Sequence, residues 1–186
     1  MTRVLLGVGS NLQRETHICR GLDALQALLG ELQVSPLFES EAIGVDGRPF
    51  YNLVVAADTH LALDDLLAAL KAIESVCGRR QTSDPGQITL DIDVLCYGEL
   101  SGEHAGVLLP RPETTRNAFV LWPLALLLPQ ACLPGDGRCY AELWANWSGA
   151  QKLWPVAFEW QGQALTPDTL LRAYADITDQ HSTEPL

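Results

Sequence analysis

Between Arg3 and Tyr97 the spacing of apolar residues alternates between two periods in a set order. That order restricts the fold more than any other feature of the chain. Arg3–Val8 is a short apolar run closed by Gly9-Ser10-Asn11, which suits a first strand. Ile18, Leu22, Leu25 and Leu28/Leu29 then recur at three- and four-residue steps and are followed by Gly30, the pattern of a helix ended by glycine. Leu32–Glu39 and Phe50–Asp58 are two strand candidates, separated by the turn-rich Gly44-Val45-Asp46-Gly47-Arg48-Pro49. A second helix opens on Asp64 and Asp65, whose carboxylates favour the positive end of the helix dipole. It carries Leu66, Leu67, Leu70 and Ile73 as a stripe and stops at Gly78. After a polar stretch, Thr89–Tyr97 is a fourth strand, and a third helix is expected from about Asn117 with Phe119, Leu121, Leu124 and Leu128.

The order β-α-β-β-α-β is that of the split βαβ, ferredoxin-like α+β fold, an antiparallel sheet with helices on one face. Residues 155–186 are expected to form an extension to a domain spanning 1–154. Val156, Phe158 and Trp160 alternate, Gln161-Gly162 is a turn signal, and Thr166-Pro167-Asp168 starts a helix, so a hairpin or edge strand, a short helix and a frayed tail from about Gln180 are predicted.

A length of 186 residues fits one such domain, and 47% apolar against 19% charged residues excludes an intrinsically disordered chain. The net charge of −11 argues against nucleic acid and anionic membrane as partners. No apolar stretch approaches the roughly 18 residues of a membrane span, and the apolar run after Met1 is too short for a signal peptide. The five cysteines are scattered without a C-x-x-C pair, which suits reduced thiols in a cytoplasmic protein.

Chemistry concentrates on Thr89–Tyr97. On a strand alternate side chains share a face, so Leu90, Ile92, Val94 and Cys96 form the expected core face and Asp91 and Asp93 project together from the other. The two carboxylates lie about 6–7 Å apart along the strand and repel unless a cation or proton intervenes. A hard divalent ion such as Mg²⁺, completed by water and substrate phosphates, meets that need. The plainer alternative is a half-buried strand with a solvated outer face.

Thr89-Leu90-Asp91-Ile92-Asp93 followed by Tyr97-Gly98 resembles the signature strand of the 6-hydroxymethyl-7,8-dihydropterin pyrophosphokinases. Further segments match in order: Gly9-Ser10-Asn11-Leu12, Pro49-Phe50-Tyr51-Asn52, Ile73-Glu74 with Gly78-Arg79, Leu109-Pro110-Arg111-Pro112, and Ala118-Phe119-Val120-Leu121-Trp122-Pro123-Leu124. The similarity covers roughly residues 3–154. It implies a ferredoxin-like domain that moves the β,γ-diphosphate of ATP to the pterin hydroxymethyl group and releases AMP, with two Mg²⁺ held by Asp91 and Asp93.

By the same resemblance, Asn52 reads the pterin edge, Phe119 stacks on the ring, Phe50 is a second aromatic, and Ser40 and Ile43 complete the substrate pocket. Lys71, Glu74, Arg79 and Arg111 fall at nucleotide positions, and Arg79 and Arg116 are candidate catalytic cations. From the residues alone, Phe50 and Phe119 also suit ordinary core packing, Lys71 and Glu74 a surface i,i+3 ion pair, and Arg79 a cation at a helix C-terminus.

The segment departs from the family pattern around the phosphates. Ile88 stands where an arginine usually clamps them, and Pro85 where an aromatic usually closes. Asp84 adds negative charge, Arg111 replaces a histidine, and Asn117 replaces an arginine, with Arg116 one position earlier as the candidate substitute. Two alternatives therefore accompany the pterin diphosphokinase: a non-catalytic pterin- or partner-binding protein, and a pyrophosphokinase acting on another small acceptor. The oligomeric state is not legible in the sequence.

Overall fold

The computed structural model describes residues 1–41, 48–78 and 86–181, the side chains of 177–181 excepted. Ile43, Arg79, Asp84 and Pro85 lie outside the described residues. The elements run β1 (Thr2–Ser10), α1 (Arg14–Leu29), β2 (Gln33–Val34), β3 (Phe38–Ser40), β4 (Phe50–Thr59), α2 (Leu63–Val76) and β5 (Asp91–Tyr97). They continue with β6 (Gly102–His104), β7 (Val107–Leu109), α3 (Glu113–Arg116), α4 (Ala118–Leu127) and α5 (Tyr140–Ala145), then β8 (Leu153–Pro155), β9 (Glu159–Trp160), β10 (Gln163–Ala164) and α6 (Asp168–His181).

The main sheet is antiparallel in the order β5-β1-β4-β3-β8, with β2 also paired to β4. This is the predicted split βαβ arrangement, with the first and third strands of the motif adjacent at the centre. The helices, however, cover both faces. Val4, Leu6 and Val8 of β1 pack with Ile18, Leu22 and Leu25 of α1 and Leu66 and Leu70 of α2 in one core. Leu5, Val54 and Ala56 face a second core built from Val120, Leu121 and Leu124 of α4 and Tyr140 and Leu143 of α5. α1 and α2 share one face, as expected of the βαββαβ unit, and α4 and α5 beyond that unit add a cover on the other. Its physical cause is visible in Leu53-Val54-Val55-Ala56-Ala57, whose unbroken apolar run belongs to a strand buried on both sides.

Local chemistry accounts for the other differences. The predicted strand Leu32–Glu39 is divided at Ser35-Pro36, because proline offers no N–H to the ladder. There the Val54 N–H donates to Ser35 Oγ at 2.9 Å instead. In β5, Leu5 faces Cys96 whereas Leu6 faces Val94, so a bulge at Leu95 shifts the alternation. Cys96 is therefore not on the face of Leu90, Ile92 and Val94; it joins Leu95 in the second core, 3.6 Å from the Tyr140 hydroxyl. Along α2 the fully buried positions are Leu63, Leu66, Leu70 and Glu74, with Leu67 and Ile73 only partly covered. α1 lies close to the sheet at Gly21, where an added Cβ would come within 2.9 Å of Leu90 Cδ1.

The β6–β7 hairpin, α3 and α5 were not anticipated; each is too short to carry a readable period. Beyond residue 150, β8 extends the sheet beside β3. Phe158 enters the first core edge-on to Tyr51 at 6.2 Å. The Leu37 N–H donates to Thr166 Oγ1 at 3.1 Å, and Trp160 Nε1–H donates to Asp23 at 2.9 Å.

Candidate active site

The central strand opens the site by what it lacks. On the face that carries Leu5, β1 next presents Gly7 and Gly9. Gly9 lies between Asn52 on β4 and Asp91 on β5, and Gly7 lies between Val54 and Asp93. Without side chains there, the strand leaves a cavity of about 260 Å³ between β3, β4, β5 and the start of α4. That volume admits one bicyclic heterocycle. A Cβ on Gly9 would sit 3.4 Å from Asn52 Oδ1 and 3.8 Å from Phe50 Cδ1, inside this space.

One wall suits a polar aromatic ligand. Asn52 is buried, and its Nδ2 donates to Ser40 Oγ at 2.8 Å, which fixes the amide plane against the cavity. An amide so held offers donor and acceptor character to a ring edge. Phe50 lies two residues before Asn52 on the same strand face, and Phe119 enters from the first turn of α4. Asn117, at the N-terminal boundary of α4, accepts from Gln151 Nε2 at 3.1 Å, and the Gln151 Oε1 accepts from the Ala118 N–H at 2.7 Å. This bracket sets the position of Phe119.

The opposite wall is acidic. Asp91 and Asp93 both line the cavity, as their strand phase predicts. Arg111, which follows a cis Leu109–Pro110 bond, pairs its Nη2 with Asp93 at 2.8 Å and donates its backbone N–H to Leu95. Burial first, and then the neighbouring Asp91 carboxylate, push the Asp93 carboxyl above its usual range, while Arg111 pulls it back. Arg111 Nε and Glu113 Oε2 are buried without hydrogen-bond partners. Glu113 lines the same cavity, so this wall keeps both excess negative charge and unspent polar capacity. Among the described residues no group of three or more His, Cys, Asp or Glu side chains could hold a metal ion. A pair of carboxylates on one strand face nevertheless fits Mg²⁺, which retains waters and takes substrate phosphates as ligands.

Glu74, a nucleotide position by resemblance and a surface partner of Lys71 by spacing alone, is buried on α2. It is 5% exposed, and its Oε1 accepts the Ile92 N–H at 2.8 Å, between the two aspartates on edge strand β5. Lys71 is exposed and lies with Glu74 neither in the cavity nor as a surface pair. Glu74 thereby closes an N–H on the side of β5 that no described strand pairs. Glu74→Ala is expected to cost about 1–3 kcal/mol in urea unfolding, because it strands that N–H, whereas Glu74→Gln keeps an acceptor and most of the stability. Equal losses in the two variants would show that the bond is not the source of the effect.

The structure brings Ser40, Phe50, Asn52, Asp91, Asp93 and Phe119 to one cavity, with Arg111 paired to its acidic wall. Arg116 is exposed at the end of α3, outside the residues that line the cavity. Ile88 serves through its backbone: its N–H donates to Asn11 Oδ1 at 2.6 Å and its carbonyl accepts the Asn11 and Leu12 N–H groups. Gly7, Gly9 and Glu113 are among the lining residues that sequence reasoning missed. The spaced glycines in Leu6-Gly7-Val8-Gly9 were the available signal, since glycine within a strand marks close approach of a ligand or another backbone.

The model of the family described as 7,8-dihydro-6-hydroxymethylpterin-pyrophosphokinase (HPPK) matches residues 5–129. The chain is 42% identical over 147 residues to the 2-amino-4-hydroxy-6-hydroxymethyldihydropteridine pyrophosphokinase of Pseudomonas aeruginosa, covering 77% of this chain and 90% of that one. It is 31% identical over 156 residues to the enzyme of that name from a Synechocystis species, covering 82% and 80%. It also matches the folate synthesis bifunctional protein of Chlamydia trachomatis, at 34% identity over 95% of this chain and 41% of that longer one. Among solved structures, the Plasmodium falciparum HPPK-DHPS wild type with SDX-DHP superposes with a TM-score of 0.60 at 15% identity, covering 78% of this chain and 43% of that one, a likeness of fold. The aspartate strand, the glycine-floored cavity and the extent of these matches agree: this chain belongs to the 7,8-dihydro-6-hydroxymethylpterin-pyrophosphokinase family.

Proposed function

We propose that the chain transfers the diphosphate of ATP to 6-hydroxymethyl-7,8-dihydropterin, releasing AMP, as a step of folate synthesis. The observation that carries this is the meeting of Asn52 and Phe119 with Asp91 and Asp93 across a floor of Gly7 and Gly9 in one cavity. The pterin ring lies by Phe119 and Phe50, with its polar edge on the Asn52 amide that Ser40 orients. That pose directs the hydroxymethyl group toward the aspartates, where the hydroxyl oxygen displaces AMP from the β-phosphorus. Positioning of this kind supplies much of the rate in phosphoryl transfer.

Asp91 and Asp93 are the residues that would hold Mg²⁺, which when bound neutralises triphosphate charge and aligns it for displacement. Arg111 adds a fixed cation beside Asp93. Ile88 provides no such charge, and Arg79 is the further cation proposed for the phosphates. We take residues 155–186 as an extension of the catalytic domain, supported by Phe158 in its core. A cytoplasmic location accords with the five free cysteines and with the absence, among the described residues, of any helix long and apolar enough to cross a membrane.

Purified protein with ATP, Mg²⁺ and the pterin alcohol should form AMP and pterin diphosphate in equal amounts, with neither product when Mg²⁺ is chelated. Pterin binding without AMP release would favour the non-catalytic alternative that Ile88 raises. AMP release with a different hydroxymethyl heterocycle, and none with the pterin, would point to another acceptor.

A further inference from the structure

Cys132 and Cys139 face each other across an antiparallel bridge between the end of α4 and the start of α5. The Leu133 N–H donates to the Arg138 carbonyl and the Tyr140 N–H to the Ala131 carbonyl, each at 3.0 Å. These bonds flank the pair, so the cysteines occupy a position that makes no hydrogen bonds between its own members. At such positions the Cα atoms stand about 4.5 Å apart and the side chains leave the ladder on the same side. That separation lies within the range of about 4.4–6.8 Å that a disulfide requires.

Both thiols are free, Cys132 exposed and Cys139 partly so. The remaining cysteines do not compete: Cys77 and Cys96 are buried, and Cys19 belongs to α1. The hairpin is also held in register from within. Leu133 and Tyr140 anchor its two ends in the second core, and Asp136 pairs with Arg138 in the loop between them.

We propose that Cys132 and Cys139 form a reversible thiol–disulfide site, open as two thiols and closed by exchange with a low-molecular-weight disulfide. The Cys132 thiolate, the more accessible, attacks one sulfur of oxidised glutathione and releases the first glutathione thiolate. The Cys139 thiolate then attacks Cys132 Sγ in the mixed disulfide, breaking that S–S bond and releasing the second. The protein thiols lose two electrons, glutathione disulfide gains them, and the two thiol protons end on the released glutathione. Closure fastens the hairpin that carries Tyr140 against Cys96 at the end of the aspartate strand.

The test uses the full chain, equilibrated in oxidised or reduced glutathione, denatured with free thiols alkylated, and cut with trypsin. Cleavage after Arg138 separates Cys132, on residues 117–138, from Cys139, on residues 139–152. After oxidation these two peptides should remain joined until reduced, and the intact oxidised protein should melt roughly 5 °C higher than the reduced form. Cys132→Ser and Cys139→Ser should each abolish the cross-link and the shift. Peptides that separate without reduction, glutathione adducts that never resolve, or cross-links only between chains would overturn the proposal. The peptide map of the unsubstituted protein decides the matter even if a variant fails to fold.

Discussion

Asp91→Ala and Asp93→Ala each reduce AMP formation by about a thousandfold or more, while the thermal midpoint of the protein without substrates stays level or rises. The two effects separate because the carboxylates repel within a partly buried wall. Burial and Asp91 already push the Asp93 carboxyl up, which offsets the loss of its partly exposed ion pair with Arg111. The same charges are needed when a triphosphate arrives, since Asp91 and Asp93 form the carboxylate pair on one strand face, and Glu113 alone does not replace that pair. Arg111 does not compensate: once Asp93 is gone, it offers positive charge to phosphate but no ligand for Mg²⁺. AMP release by both variants at the rate of the unsubstituted chain would remove the assigned roles. Loss of activity accompanied by an equal collapse of the thermal midpoint would mean that the aspartates serve the fold instead.

Phe38→Ala lowers stability by about 3–5 kcal/mol, the range for emptying a fully buried aromatic position. Phe38 is 0% exposed and contacts Trp122 at a ring separation of 4.7 Å. Trp122 stacks on Trp144 at 5.1 Å, and Trp144 stacks on Trp147 at 5.6 Å. This aromatic series joins β3 to α4 and α5, so the cavity left by alanine cannot close by moving one side chain. The consequence reaches the site through two neighbours. Phe38 is opposite Asn52 in the β3–β4 register, and Phe119 packs on the same cluster. The KM for the pterin therefore rises in the variant even where it remains folded. Phe38→Leu retains most of the volume and loses about 1–1.5 kcal/mol. Urea unfolding followed by tryptophan emission measures both, and a cost below about 1 kcal/mol for the alanine variant would show that the cluster repacks freely.

The parts of the fold that were legible in the sequence are those set by local periodicity. α1, with Gly30 at its end, and α2, with Asp64 and Asp65 in its first turn, stand where their patterns placed them. The strand phase that projects Asp91 and Asp93 together was also correct, because alternation needs no partner to be read. Cys96 was misplaced only because the bulge at Leu95 lies between it and that phase. By spacing alone, Glu74 reads as a surface residue along α2. It is buried because an edge N–H, remote in sequence, needs an acceptor there.

The amino-acid sequence by itself determined the order of elements through Tyr97 and the carboxylate pair, since each rests on residue types at short, regular spacing, and its motifs carried the resemblance to the family. Only the tertiary structure decided that helices cover both faces, that Gly7 and Gly9 hollow out the cavity, that Arg111 meets Asp93, and that Cys132 lies opposite Cys139. These are meetings between segments whose separation along the chain carries no period. They arise when apolar surfaces on distant elements find a common packing, and the polar groups brought along with them must then be satisfied in place.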